Sequence, residues 1–431
     1  LGVKPKWDRR GMVVGTEIIE YSELKRPRID VAISATGLYR DAFPNVMLLL
    51  AKAIKDIAEL KEESNSVYKN AQSLKAEFLE SGTSEEDASY LSSVRIFSNE
   101  TGAYGTGLNG AALATDTWEK DDKLADLYMS RMGYAFGADA SRWSEKVDSE
   151  TIGNLYGKVL AGTDAVIFSR SSNLYGMITS DDPFQYFGGI ALAVRNLDGE
   201  SPEMYISNLR KTSDMKNETL DKFLGRELRT RTFHPRWIEE MQKEGYSGAL
   251  TVLDRMNNFW GWTVMDPDSV NNAQWQEFVE VYVNDKYDMQ MKEFFEKNNP
   301  YALAQMVERI LEAERKEYFQ TDEATLEKLT ETYLEMANKY DIYTDNELFK
   351  DKLENLAQGF GLDFTLPEKM SSQAMEAIQN APQPNEMNAE QSDTATEFVT
   401  GQKLERQSEQ EIETDYQVLW VSLACLLILL M

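Results

Sequence analysis

Cysteine and histidine are almost missing from this chain of 431 residues, which holds one of each, Cys425 and His234. A disulfide framework and a cysteine-based zinc site are therefore excluded within it. A histidine-rich metal centre is excluded too, so metal chemistry would fall to carboxylates, to His234, or to donors carried in by a bound molecule. Positive charge is in deficit, with 45 lysines and arginines against 73 aspartates and glutamates and a net charge of −28. A field of that sign repels phosphate backbones and argues against nucleic acid as a partner. It would concentrate divalent cations near the surface, although a solvated acidic surface with no such role is the plainer account. No G-x-x-x-x-G-K-[ST] string occurs, which excludes a phosphate loop for ATP. Initiator methionine and signal peptide are also lacking, and the opening Gly2-Val-Lys-Pro-Lys-Trp-Asp8 reads like the middle of a domain. A C-terminal fragment of something larger is the expectation.

What is present suits a globular protein, at 42% hydrophobic and 11% aromatic residues, with length for two or three domains. The densest signal is Val94 to Gly110, an apolar run emptying into a loop with glycines at 102, 105, 107 and 110. Gly105-Thr-Gly-Leu-Asn-Gly110 matches the dinucleotide fingerprint. Its context does not, because Ala114–Trp118 interrupts any helix after about one turn and no strand follows at the required distance. Neither NAD nor flavin is therefore expected, and a packed glycine turn is the better account of the residues.

Period-two and apolar stretches predict strands at Gly11–Glu20 (a short pair), Arg28–Ser34, Val94–Phe97, Thr163–Ser169 and Glu203–Ser207. Helical patterns lie between them, at 45–60, 66–80, 123–133, 149–160 and 184–197. The alternation predicts an α/β fold with a mainly parallel sheet and flanking helices. Ligands in such sheets sit beyond the carboxyl ends of the strands. Three loops qualify there: Ala35–Pro44, Ser98–Gly110 and Ser169–Gly189. The third carries Ser180-Asp181-Asp182-Pro183-Phe184-Gln185 and then Gly188-Gly189. The paired carboxylates could bind a cation or take a proton; equally, Asp182 or its neighbour could cap a helix with Pro183 at its first position.

From about residue 217 the pattern becomes all-helical, and Phe259, Trp260, Trp262, Trp275, Phe278 and Tyr282 recur at helical spacing, as core residues do. Beyond Leu366 the composition turns to Ser, Gln, Asn, Glu and Pro, a flexible acidic linker. The closing run Val418–Met431, preceded by Tyr416 and holding Trp420, reads as a truncated transmembrane helix or tail anchor. The expected division is 1–215 α/β, 216–365 helical, 366–415 linker and 416–431 transmembrane.

A series of motifs in order is similar to the C-terminal part of the metallochelatase large subunits, the cobaltochelatase CobN and magnesium-chelatase H family. It comprises Arg26-Pro-Arg-Ile-Asp-Val31, Thr36-Gly-Leu-Tyr-Arg-Asp-Ala-Phe-Pro-Asn45, Arg95-Ile-Phe97, Gly102-Ala-Tyr-Gly-Thr-Gly-Leu-Asn109, Ser180-Asp-Asp182 with Gln185 and Gly188-Gly189, Pro235-Arg-Trp-Ile238, Gly245-Tyr-Ser-Gly-Ala249, Asn299-Pro-Tyr-Ala-Leu303 and Leu311-Glu-Ala313. The resemblance covers about residues 2–340. It implies a subunit that binds a tetrapyrrole and inserts a divalent metal, cobalt favoured and magnesium possible, with ATP hydrolysed by separate AAA-type partners. Removing two ring N–H protons calls for carboxylates, and the shaped cavity must be apolar. The expected acids or ligands are Asp181 and Asp182, with Gln185 orienting them and Glu244 a further metal ligand. The cavity wall falls to Tyr104, Gly105, Gly107 and Asn109. Three positions depart from the family: Phe187 and Glu244 stand where relatives usually carry histidine, and His234 stands where they carry asparagine, which suits it to capping or packing. These changes keep open a non-catalytic, membrane-anchored tetrapyrrole- or metal-binding protein. A single-pass membrane location near the C-terminus, with the soluble part cytoplasmic, is the expected placement.

Overall fold

The computed structural model describes residues 1–149, 153–170, 176–209 and 216–368. Residues Leu1–Pro367 form one compact unit, so the change from mixed to all-helical structure near residue 220 falls inside it. All but the first three residues of the expected linker, and the whole apolar run 416–431, lie outside the described residues. Among the described residues no helix is long and apolar enough to cross a membrane.

The chain opens on a hairpin, Val3–Trp7 against Val13–Ile18. Strands Ile33–Ser34 and Ile96–Ser98 pair in parallel, and Tyr134–Ala135 and Glu145–Lys146 extend them antiparallel. Ala165–Arg170 and Glu203–Asn208 pair in parallel, with Asn217–Thr219 antiparallel on the far edge. Asp148–Ser149 and Gly153–Asn154 make a small ribbon.

Among the described residues, the expected mainly parallel sheet is therefore corrected to four small sheets in which antiparallel pairs outnumber the two parallel ones. Part of the cause is that backbone expected in the ladder pairs elsewhere, Arg28 exchanging its N–H and carbonyl with Ser64 and Ser66. Arg28 and Asp30 were read as part of a seven-residue strand. In the fold Arg28 is buried and bonds Glu62 and the carbonyl of Ile19, while Asp30 pairs with buried Arg95. Two residues, Ile33 and Ser34, are left to pair as strand. The Gly11–Glu20 stretch likewise supplies one strand of the hairpin, its partner being Val3–Trp7.

Helices follow the apolar periodicity closely. Ser66–Glu80 forms over its expected span, and Pro235–Lys243 and Glu323–Tyr340 fall in the stretch expected to be all-helical. Each starts at a residue whose side chain accepts a backbone N–H, namely Asn65, His234 and Asp322, and such capping contributes about 1 kcal/mol per helix. His234 is thus a capping residue, accepting from the Arg236 N–H at Nδ1 over 3.2 Å.

The long helix Tyr246–Met265 runs through the main core, which also holds Trp118, Phe184, Trp262, Trp275 and Tyr333. The recurring aromatics are core, as their spacing implied. Trp260, Trp262 and Trp275 are all fully buried, and two of them satisfy their indole N–H on carbonyls: Trp260 on Ala112, in the short helix Leu108–Leu113 that follows the glycine turn, at 2.8 Å, and Trp262 on Met177 at 2.7 Å. One helix thereby fixes two loops, the glycine turn on one side and the aspartate turn on the other.

Candidate functional site

The glycine turn is built for close approach. Gly102, Gly105 and Gly107 all have positive φ, at +86°, +74° and +78°, the left-handed region that suits glycine. Buried Arg40 shapes the turn from the short helix Gly37–Ala42, donating to the carbonyls of Asn99 at 2.9 Å, Glu100 at 2.7 Å and Ala103 at 3.2 Å. The same guanidinium binds Asp41 through two nitrogens, and Asp41 in turn accepts the Tyr104 hydroxyl. Those bonds hold the Asp41 carboxyl below its ordinary range. Tyr104 is thereby tethered with its ring 54% exposed. Gly37 has to be glycine, since a Cβ there would lie 2.7 Å from the Tyr104 ring.

Across from this turn, Pro183–Gly188 forms a turn of π-helix that continues into the helix Gly189–Asp198. The wider turn lets two consecutive residues reach the glycine loop, and such insertions recur at functional sites. Gln185 Oε1 accepts from Thr106 N at 3.2 Å and Thr106 Oγ1 at 3.1 Å, and the Tyr186 hydroxyl accepts from Gly105 N at 2.9 Å. The Gln185 amide N–H groups face the other way, toward Asp181 Oδ2 and Asp182 Oδ1, each at 3.3 Å. Asn109 Nδ2 closes the circuit on Asp181 Oδ2 at 2.9 Å.

The structure thus brings Asp181, Asp182, Gln185, Gly105 and Asn109 together, with Tyr104 on one flank. Pro183 does open the helical turn, yet the Asp182 side chain makes no capping bond and accepts instead from the Gln185 amide. Its carboxyl is pushed up by partial burial and by the charge of Asp181, against the pull of Gln185. Gly188 and Gly189 act differently from a ligand cradle. A Cβ would lie 2.9 Å from Met265 at the first and 2.4 Å from the Tyr128 ring at the second, so close packing requires both.

Glu244 is exposed at the end of Pro235–Lys243. Among the described residues no three His, Cys, Asp or Glu side chains gather as a metal site, so Glu244 does not join the two aspartates in one. Phe187 sits in the core, 5.8 Å from Trp262 and 5.4 Å from Phe168 between ring centres. Gly107 faces outward at the turn.

Sequence reasoning missed the supports. Buried Glu227 accepts from Met177 N at 2.7 Å and from Arg255 Nη1 at 3.0 Å, fixing the base of the aspartate turn. It also missed Asp254, an exposed residue of Tyr246–Met265 whose carboxyl is raised by partial burial and by the charge of Asp181. Its position a helical turn before Asn258, which bonds the Ile178 carbonyl at 3.2 Å, was the only signal, and it required the long-range contact.

The fold is a mixed α/β unit that gathers two loops around paired carboxylates. The CobN/Magnesium Chelatase family model matches residues 1–326, and the chain belongs to that family. Similar proteins include an uncharacterised protein of Methanocaldococcus jannaschii, 35% identical over 78% of this chain and 26% of its own length. The chloroplastic magnesium-chelatase subunit ChlH of Oryza sativa subsp. japonica is 33% identical over 79% of this chain and 23% of its own. Among solved structures, the catalytic subunit of cobaltochelatase from Mycobacterium tuberculosis superposes with a TM-score of 0.70 at 30% identity, over 78% of this chain and 28% of that one. The chain spans about a quarter of the length of the curated relatives it matches.

Proposed function

We propose that this chain is the acid-bearing part of a chelatase large subunit that inserts a divalent metal into a tetrapyrrole. The observation that carries the reading is the bracketing of Asp181 and Asp182 by amide groups from two loops, Asn109 on one and Gln185 on the other. Insertion releases two ring N–H protons for each metal that enters, so bases are needed at the ring. Asp181 accepts from two amide donors, Asn109 and Gln185, which fix its carboxyl group in place to meet the entering cation. Asp182 holds one, and its raised carboxyl makes it the better proton acceptor.

Oxygen donors and a net charge of −28 suit magnesium on chemical grounds, while the Ser180-Asp181-Asp182 string sides with the cobalt branch; cobalt is the metal we favour. Hydrolysis of ATP falls to separate AAA-type subunits, since this chain carries no phosphate loop. A membrane attachment through 416–431, with the soluble part in the cytoplasm, rests on the composition of that run alone.

A second reading is a tetrapyrrole or metal binder that does not insert metal. Phe187, a core residue where relatives usually carry histidine, favours it. Titration with a water-soluble porphyrin, followed by an insertion assay with and without the ATPase subunits, separates the two. Asp181→Ala combined with Asp182→Ala is expected to abolish insertion and leave the circular dichroism spectrum unchanged. Insertion at the parent rate by that double variant would sink the carboxylate assignment.

A further inference from the structure

Two helices outside the motif series enclose a groove of about 910 Å³ that neither Asp181 nor Asp182 lines. One is Leu220–Glu227, which widens into the π-turn Leu228–Thr232. The other is Asn272–Phe278, which widens into the π-turn Val279–Val283. The Tyr282 hydroxyl donates to the Thr232 carbonyl, and the Phe233 and Phe278 rings meet edge to face at 4.7 Å. Those contacts clamp the walls together. The volume falls within the range of ligand pockets, roughly 300–1,000 Å³.

Lys222, Arg226 and Arg229 line the groove from the first helix, at i, i+4 and i+7, which places them on one face. Three acids line it as well, and two are already paired. Glu218 accepts from Arg226 at 2.6 and 2.5 Å, and Glu277 accepts from Lys286 at 2.6 Å. Asp221 is left against two cations, Lys222 and Arg229, that meet no carboxylate among the described residues. The lining therefore keeps a positive excess in a chain of net charge −28. Gly225 opens room beside one of these cations. A Cβ there would lie 3.3 Å from Arg229 Nη1 and 3.7 Å from Gln274 Nε2, so donors from both helices converge over a residue with no side chain. Buried Leu228 and Phe233 and the 37% exposed Tyr287 supply apolar lining. The buried face of the first helix carries Glu227, which bonds Met177 N and Arg255 beneath the aspartate turn.

We propose that this groove docks an acidic segment of a protein partner, with one carboxylate taken between Arg229 and Gln274 and a second by Lys222. Seven residues of helix set the two cations about 10 Å apart along the axis. About three residues of extended chain cover that distance, so one short segment meets both. Charge complementarity selects the occupant: the field of the whole chain repels an acidic partner, and a local reversal of sign confines it to the groove. A partner seated there rests on the helix that supports the acid site. The proposal uses neither aspartate and stands or falls apart from the chelatase reading.

The test is the fluorescence anisotropy of a fluorescein-labelled hexaglutamate peptide titrated with the full 431-residue chain at low salt. Saturable binding is expected. Lys222→Glu with Arg229→Glu should weaken it at least about tenfold, the weight of two exposed ion pairs. Lys61→Glu with Lys120→Glu changes the net charge equally at exposed lysines outside the groove, and should leave affinity within about twofold, since distant charges are screened. All four positions are exposed, so the circular dichroism spectrum should match the parent's in both variants. No binding by the parent, parent-like binding by the groove variant, or an equal loss in the control pair overturns the proposal. Competition by free glutamate at the same carboxylate concentration would assign the groove to a small anion and overturn the docking of a segment.

Discussion

Two adjacent aspartates on one turn differ in their surroundings, and partial burial together with the charge of Asp181 is what raises Asp182. Asp181 accepts from Asn109 and Gln185, whereas Asp182 accepts from Gln185 alone and has its carboxyl raised. If Asp182 receives a ring proton, insertion requires its ionised form, so the rate climbs with pH through a value above that of an ordinary aspartate. Asp182→Asn is then expected to lose that acid limb and to slow insertion by about two orders of magnitude, the usual weight of a positioned base. Initial rates between pH 4 and 8 in both proteins check it, and a limb surviving in the variant assigns the titration elsewhere. Asp266 offers a second case, away from the site. It is 1% exposed, its Oδ1 has no partner among the described residues, and burial pushes its carboxyl up to about 6. A raised folded value means that the fold prefers the protonated acid. That contribution is complete below about pH 4 and is lost as pH rises through about 6. Asp266→Asn should flatten the dependence and stabilise the protein at pH 7 by on the order of 2 kcal/mol, read from urea midpoints across that range.

At the scale of elements, the central helix shows packing overriding propensity. Alanine is a better helix former than glycine by about 1 kcal/mol, which favours Gly261→Ala inside Tyr246–Met265. A Cβ at 261, however, would lie 2.6 Å from three atoms of the Phe184 ring, and overpacking a full core costs about 1–3 kcal/mol. The cost exceeds the gain, so Gly261→Ala should lower the melting temperature; a rise would show that the Phe184 turn yields freely. Since Phe184 lies in the π-turn that carries Gln185, porphyrin affinity should fall with it. The same contrast explains what the sequence made legible. Helix spans were readable because apolar periodicity and caps such as Asn65 and Asp322 are local signals. The meeting of the Tyr104–Asn109 and Asp181–Gln185 stretches was readable as loops at strand ends, and the structure joins them. The sheet was not, because Arg28 and Asp30 spend on distant Glu62 and Arg95 what looked like strand alternation. The roles of Glu227, Asp254 and Gly189 were hidden for the same reason: each depends on a partner far away in the chain.

For the unit as a whole, the site depends on helices well past the motifs. The segment after the glycine turn is held from the far end of the chain. Arg309 bonds the Leu113 carbonyl at 3.1 Å, Arg315 bonds that of Thr115 at 3.2 Å, and Lys316 lies 3.7 Å from the centre of the Trp118 ring. Asn346 Nδ2 reaches Thr115 Oγ1 at 2.8 Å. The family match stops at residue 326, but the core continues through Leu329, Tyr333, Met336, Phe349 and Leu353, all nearly or fully buried. Each such side chain contributes about 1.5–3 kcal/mol when buried, so five of them rival the whole stability of a domain, about 5–15 kcal/mol. A chain ended at Pro367 keeps every one of these contacts and should melt cooperatively and bind porphyrin. A chain ended at residue 326 cuts the helix Glu323–Tyr340 near its start and removes the Asn346 bond. It should show no cooperative melt and no porphyrin binding. Calorimetry on the three lengths decides the matter: a cooperative transition in the shortest would mean that the last helices are an addition to the family core and do not hold its acid-bearing loops in place.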